Sequence, residues 1–139
     1  MSIITDFTDD PCEFLEQNIV LQMVAGTGVV GDTDYFTLIE SKKKGFLING
    51  TTECPVYEMF QAADGDRFEA YWCPYEDEKV RAVTLGGAAD LMFTAKMTGC
   101  SFGVGIPAQD GSVRVAHANL QETNKLNQIG DAMYQAFNP

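Results

Sequence analysis

The run GFLINGTTECPVYEMFQA, residues 45–62, places Asn49-Gly50 between two apolar stretches. That dipeptide tolerates the positive φ of a tight reversal, so it predicts a β-hairpin. The neighbouring segments also read as strands. IVLQMVAG (19–26) is apolar and rich in β-formers, and DYFTLIES (34–41) alternates. DGDRFEAYWCPY (64–75) gives a turn and then a strand, and KVRAVTL (79–85) alternates again. Trp72, with Tyr71 and Tyr75 close by, reads as core in preference to a ligand-facing aromatic, and Lys42 to Lys44 as a solvated turn.

Helices belong to the two ends. In DDPCEFLEQNI, Asp10 is placed to cap, Pro11 suits a first helical position and Glu13 sits where a capping-box partner would. Leu126, Ile129, Met133 and Phe137 recur at steps of three and four, which predicts an amphipathic helix over 122–137. LGGAADLMFTAKMTGC (85–100) fits two patterns. We read it as a helix or loop capped by Asp90 and followed by a short strand into Cys100. The other pattern is a strand with Leu91, Phe93, Ala95 and Met97 on one face. Together these signals predict an α+β fold: a mixed, largely antiparallel β-sandwich or sheet with flanking helices, in one domain spanning 1–139.

Composition narrows the function. A 139-residue chain that is 45% hydrophobic can bury roughly two thirds of its unfolded surface without a disulfide or metal. Nine Lys and Arg against twenty Asp and Glu give a net charge of −11. Such a surface repels phosphate backbones and anionic lipid, which argues against nucleic acid and membranes as partners, and it attracts basic proteins. MSIITDFTDD has no positive n-region and no apolar run, so no signal peptide is expected. Cys12, Cys54, Cys73 and Cys100 are irregularly spaced without a C-x-x-C pair, so free thiols are expected and no metal or other cofactor. The sequon-like NGT at Asn49 is then only a turn.

Two short motifs fail on context. GTGVVG (26–31) matches G-x-G-x-x-G, but a turn and strand follow where pyrophosphate binding needs a helix N-terminus. DGD (64–66) lacks the later ligands of a calcium loop. The acidic run Glu76 to Glu78 reads as a solvated loop.

The chemistry concentrates in MTGCSFGVG (97–105) and GSVRVAHAN (111–119). Ser101 to Gly105 reads as a strand, residues 106–111 as a loop, and Ser112 to Ala118 as the return strand. With Gly105 opposite Ser112, Cys100 falls opposite His117, the only histidine in the chain. Opposed residues share a face at the separation a thiol and its base need. An imidazole beside a thiol favours the thiolate nucleophile. Gly99 lets the chain turn, and the amides of Cys100 and Ser101 can face an oxyanion. Asn119, or a backbone carbonyl from another strand, is placed to fix the imidazole tautomer, and Thr98 shares the face of Cys100.

The string MTGC followed by a histidine on the next strand resembles the cytotoxic necrotizing factor and Burkholderia lethal factor family. That family shares an L-S-G-C motif with the chemotaxis receptor deamidases. Here Met97 stands for Leu and Thr98 for Ser, and the resemblance covers about the last third of the chain. It implies a mixed β-sandwich with outer helices, Cys100 as nucleophile and His117 as base, and deamidation of a glutamine side chain on a target protein. It also implies a bacterial toxin or effector, acting in the bacterial cytoplasm or delivered into a host or target cell without a signal peptide. Transglutamination or proteolysis would use the same dyad. The alternative is a non-catalytic acidic protein, an immunity protein, inhibitor or chaperone that binds a basic partner and keeps Cys100 in its core.

Overall fold

The computed structural model describes residues 2–25, 29, 31–120 and 136–137. The protein has an α+β fold with mixed and antiparallel sheets. It forms two compact units, Met1–Val24 with Tyr35–Phe68, and Ala25–Asp34 with Glu69–Pro139.

The first unit opens with two short helices, α1 (Ile3–Asp9) and α2 (Pro11–Gln17). Ser2 caps α1 through Thr5 N–H at 3.1 Å, and Asp10 caps α2 through Glu13 N–H at 2.9 Å. The second cap is the one expected from Asp10, Pro11 and Glu13; α1 was not foreseen. Their apolar residues Ile4, Phe7 and Phe14 are buried. Beyond them come β1 (Ile19–Gln22), β2 (Thr33–Glu40, in this unit from Tyr35), β3 (Gly45–Phe46), β4 (Glu53–Cys54) and β5 (Val56–Gln61). β5 lies between β1, which is parallel to it, and β2, which is antiparallel.

The Asn49-Gly50 hairpin forms, with a longer loop than the dipeptide alone requires. β3 pairs with β4, Leu47 N–H meets Thr52 O, and Asn49 Oδ1 accepts from the amides of Thr51 and Thr52. Gly50 takes φ +74°, the conformation for which glycine has no steric cost.

The second unit contains β6 (Phe68–Cys73, in this unit from Glu69), β7 (Val80–Leu85), β8 (Met92–Thr94), β9 (Ser101–Val104) and β10 (Val113–Ala118). β6 and β8 run parallel, while β7, β10 and β9 form an antiparallel sheet with β10 in the middle. Tyr71 and Cys73 of β6 pack against Val83 of β7 and Val115 of β10, with Met92 of β8 alongside.

Two sequence expectations change here, and a third falls outside the described residues. Residues 91–94 form no helix. Tyr71 N–H takes Leu91 O at 2.8 Å, and β8 pairs with β6 from Tyr71↔Met92 to Cys73↔Thr94, so tertiary pairing overrides the local helical pattern. The short strand into Cys100 is also absent, because β9 begins at Ser101. The expected helix over 122–137 lies outside the described residues, apart from Ala136 and Phe137.

Candidate functional site

β9 and β10 form the predicted hairpin in a shifted register. Gly105 N–H meets Arg114 O at 2.7 Å, and the loop closes on itself through Gly111 N–H to Ala108 O and Ala108 N–H to Ser112 O. Asp110 Oδ1 accepts from both the amide and the hydroxyl of Ser112. These contacts hold Ser112 inside the turn and displace the register by two residues. His117 is therefore opposite Phe102, and the expected Cys100–His117 opposition is not formed. A shift of two preserves the face, because side chains alternate with period two. Cys100 now meets Asn119, with Sγ 3.6 Å from Asn119 Oδ1.

His117 sits on β10 two residues beyond Val115 and is fully buried. Its Nδ1 lies 2.7 Å from Thr94 Oγ1 at the end of β8. The Thr94 hydroxyl is also 2.9 Å from the carbonyl of Cys73. A carbonyl only accepts, so the single hydroxyl proton points there and a lone pair of Oγ1 takes the Nδ1 proton. This network assigns His117 as the Nδ1–H tautomer, leaving an unprotonated Nε2. Nε2 is buried and has no hydrogen-bond partner among the described residues. Burial also lowers the imidazole pKa below its ordinary 6.5, so the ring is neutral near pH 7. The ring packs edge-on against Tyr75, with centroids 5.3 Å apart.

The His117 amide reaches the thiol of Cys73, which is fully buried. Burial pushes its pKa up to about 11, opposed by the His117 amide and the Thr94 hydroxyl nearby. It is a protonated core thiol. Cys12 is exposed, Cys54 is buried, Cys100 is half-buried, and none of the four is in a disulfide.

Cys100 follows Gly99, whose φ of +71° turns the chain. Its thiol also lies 3.7 Å from the carbonyl of Thr98. Ser101 is the first residue of β9 and pairs with Ala118. Asn119 is 5% exposed, and its Nδ2 donates to Tyr75 Oη and to Asp77 Oδ1, each at 3.0 Å. The Tyr75 hydroxyl donates to Asp77 as well. That bond to Asp77 raises the Tyr75 pKa, helped by desolvation and by the charges of Asp77, Cys100 and Glu78. The fold thus brings Cys100, Asn119, Tyr75 and Asp77 into one polar cluster, with His117 against the Tyr75 ring.

Sequence reasoning found Cys100, His117 and Asn119 and missed Thr94, Tyr75 and Asp77. Thr94 lay in the segment that fitted two patterns, Asp77 lies within a run read as solvated, and Tyr75 adjoins it. Asn119 or a backbone carbonyl was expected to orient His117; Thr94 holds Nδ1 instead, and Asn119 holds the thiol. Among the described residues no cluster of His, Cys, Asp and Glu is arranged to hold a metal ion, and no helix is long and apolar enough to cross a membrane. Comparison with family models, curated proteins and solved structures gives no match.

Proposed function

We propose that this protein is a cysteine-dependent amidohydrolase that deamidates a glutamine side chain on a target protein. The observation that carries the reading is the state of His117. It is a neutral imidazole with its tautomer set by Thr94, and its unpartnered Nε2 belongs to the same hairpin face as the half-buried Cys100.

The chemistry follows from these groups. On substrate binding the Cys100 side chain leaves Asn119 and passes its thiol proton to His117 Nε2. The thiolate attacks the carboxamide carbon, and the amide of Cys100 stabilises the resulting oxyanion; the Ser101 amide, expected to help, is taken up by the pairing of β9 with β10 opposite Ala118. The imidazolium returns the proton to the amide nitrogen, the C–N bond breaks and ammonia leaves. Nε2 then takes a proton from water, hydroxide adds to the thioester carbon, and the C–S bond breaks. Glutamate is released and the thiol is restored. Neither a metal nor a redox partner enters these steps. We place this activity in the bacterial cytoplasm or, after delivery, in a target cell.

Competitive alkylation of the native protein tests the reading, with each cysteine followed by peptide mass spectrometry. Cys100 is expected to react with iodoacetamide much faster than the exposed Cys12, and His117→Ala is expected to remove the difference. Equal rates at Cys100 and Cys12 in the unaltered protein would overturn it.

A second reading rests on the first unit, where Asp6, Asp9, Asp10 and Glu13 line one groove along α1 and α2. In that reading the protein is a non-catalytic binder of a basic partner. Cys100→Ala then leaves binding intact, while rising salt weakens it steeply.

A further inference from the structure

A carboxamide already rests against the candidate nucleophile. Asn119 Oδ1 takes the Cys100 thiol at 3.6 Å, and both of its N–H groups are spent on Tyr75 Oη and Asp77 Oδ1 at 3.0 Å. The polarity of this contact is fixed: Asp77 accepts only, so the nitrogen faces it and the oxygen faces sulfur. Asn119 is nearly sealed from solvent, whereas Tyr75 is half-buried and Asp77 is exposed. The acceptor pair is therefore reachable from outside by way of Asp77.

We infer that Tyr75 and Asp77 form the subsite that recognises the amide nitrogen of the substrate carboxamide, and that Asn119 occupies it in the resting protein. This rests on the amidohydrolase reading and adds to it a basis for selectivity. The primary amide of glutamine offers two N–H donors, which suit one phenol oxygen and one carboxylate. A glutamate carboxylate offers none and is repelled by Asp77, so the subsite distinguishes substrate from product by donors and by charge. An incoming carboxamide displaces that of Asn119 and brings its carbon to the sulfur with the nitrogen held. The same displacement frees the thiol from Asn119 Oδ1.

Iodoacetamide and iodoacetate test this directly, because they differ in little but a carboxamide against a carboxylate. The quantity to measure is the ratio of their alkylation rates at Cys100, divided by the same ratio at Cys12 in the same molecule. Cys54 and Cys73, both buried, report folding by remaining unlabelled. Asn119→Ala vacates the subsite and is expected to raise the normalised ratio at least about tenfold, well short of the ~10⁴-fold by which a complete site for N–H donors rejects an analogue lacking them. Adding Tyr75→Phe, which changes no charge, lowers the ratio, and adding Asp77→Asn removes the gain.

Asn119→Ser replaces Asn119→Ala if the alanine variant does not fold. A ratio that stays level or falls in Asn119→Ala overturns the inference, because Asn119 would then be mere cover or support. A gain that survives both Tyr75→Phe and Asp77→Asn overturns it equally. Failure of the amidohydrolase reading is a separate result: Cys100 then reacts no faster than Cys12 with iodoacetamide, and His117→Ala changes nothing.

Discussion

The two units fill their interiors with different chemistry. The buried residues of the first are apolar throughout: Ile4, Phe7, Phe14, Val24, Phe36, Leu38, Cys54, Val56, Tyr57, Met59 and Phe68. Phe7 meets Phe14 and Phe68 edge-on at 5.4 Å, and Phe36 lies 6.1 Å from Phe68. Gly45 shows how close this packing is, because a Cβ there would lie 2.6 Å from Ile19 Cδ1 and 2.7 Å from Val56 Cγ2. Among its described residues the second unit buries two polar side chains, His117 and Asn119. One of them carries an unpartnered nitrogen. A buried polar atom without a partner costs stability, so the first interior serves folding while the second carries a cost that the proposed chemistry would offset.

The largest effect that sharpens this contrast is Phe36→Ala. Phe36 is fully buried, so truncation is expected to cost about 3–5 kcal/mol, measured by denaturant unfolding. Under native conditions the ratio of Cys100 to Cys12 alkylation should not move. A loss below about 1 kcal/mol, outside the range for buried aromatic truncations, would remove the first half of the comparison.

His117→Leu probes the other side. It deletes a buried nitrogen that has no partner and keeps an apolar side chain in the space. Its effect on stability should be well below that of Phe36→Ala, since removing an unsatisfied group returns part of its desolvation penalty. The alkylation rate of Cys100 near pH 7 should nevertheless fall on the order of a hundredfold, the lower range for loss of a general base. A variant that is strongly destabilised and normally reactive would reverse the assignment of the two interiors.

The same division governs how much was legible in the sequence. Strand and cap signals are local, so the Asn49-Gly50 hairpin and the Asp10 cap of α2 could be read from a few adjacent residues. Ser2 caps α1 in the same way, but Ile3, Ile4, Thr5 and Thr8 are β-branched and obscured a helix that the burial of Ile4 and Phe7 supports. The site depends on pairing between distant segments. The β9–β10 register turned on whether Ser112 belongs to the strand or to the Asp110 turn, a choice that alternation cannot make. Thr94 reaches His117 only because β8 lies parallel to β6, and nothing in residues 85–100 specifies that partner. Asn119 was found for its face and assigned the wrong contact, since the register decides whether it meets the thiol or the imidazole.

Thr94 offers a finer break. Thr94→Val keeps shape while removing the acceptor for Nδ1–H, so the tautomer is no longer held. Cys100 reactivity should drop by roughly ten- to a hundredfold, as when the partners that orient metal-bound imidazoles are removed. Thr94→Ser restores the hydroxyl and most of the rate. Thr94 is a positioning residue, so its variants should also displace the pH dependence of alkylation. An unchanged profile with lowered stability would reduce it to packing.

The smallest effect is a slope of stability against pH. Burial lowers the pKa of His117 in the folded protein below the ordinary 6.5. As pH falls through the region of 6.5, the unfolded chain takes up a proton at this site before the folded protein does. The unfolded state is then favoured, so stability falls with falling pH between the unfolded pKa and the lower folded one, and is fully retained above both. For one proton the slope cannot exceed about 1.4 kcal/mol per pH unit. The depressed carboxylates Glu76 and Asp110 have ordinary values of 4.5 and 3.8, so their losses come at lower pH and leave this window to His117. Denaturant midpoints measured down from pH 7.5 should decline below about 6.5 in the unaltered protein and stay level in His117→Leu over the same range. A decline that survives His117→Leu would mean that the second interior holds its imidazole at no cost, and the contrast with the aromatic interior of the first unit would then rest on packing alone.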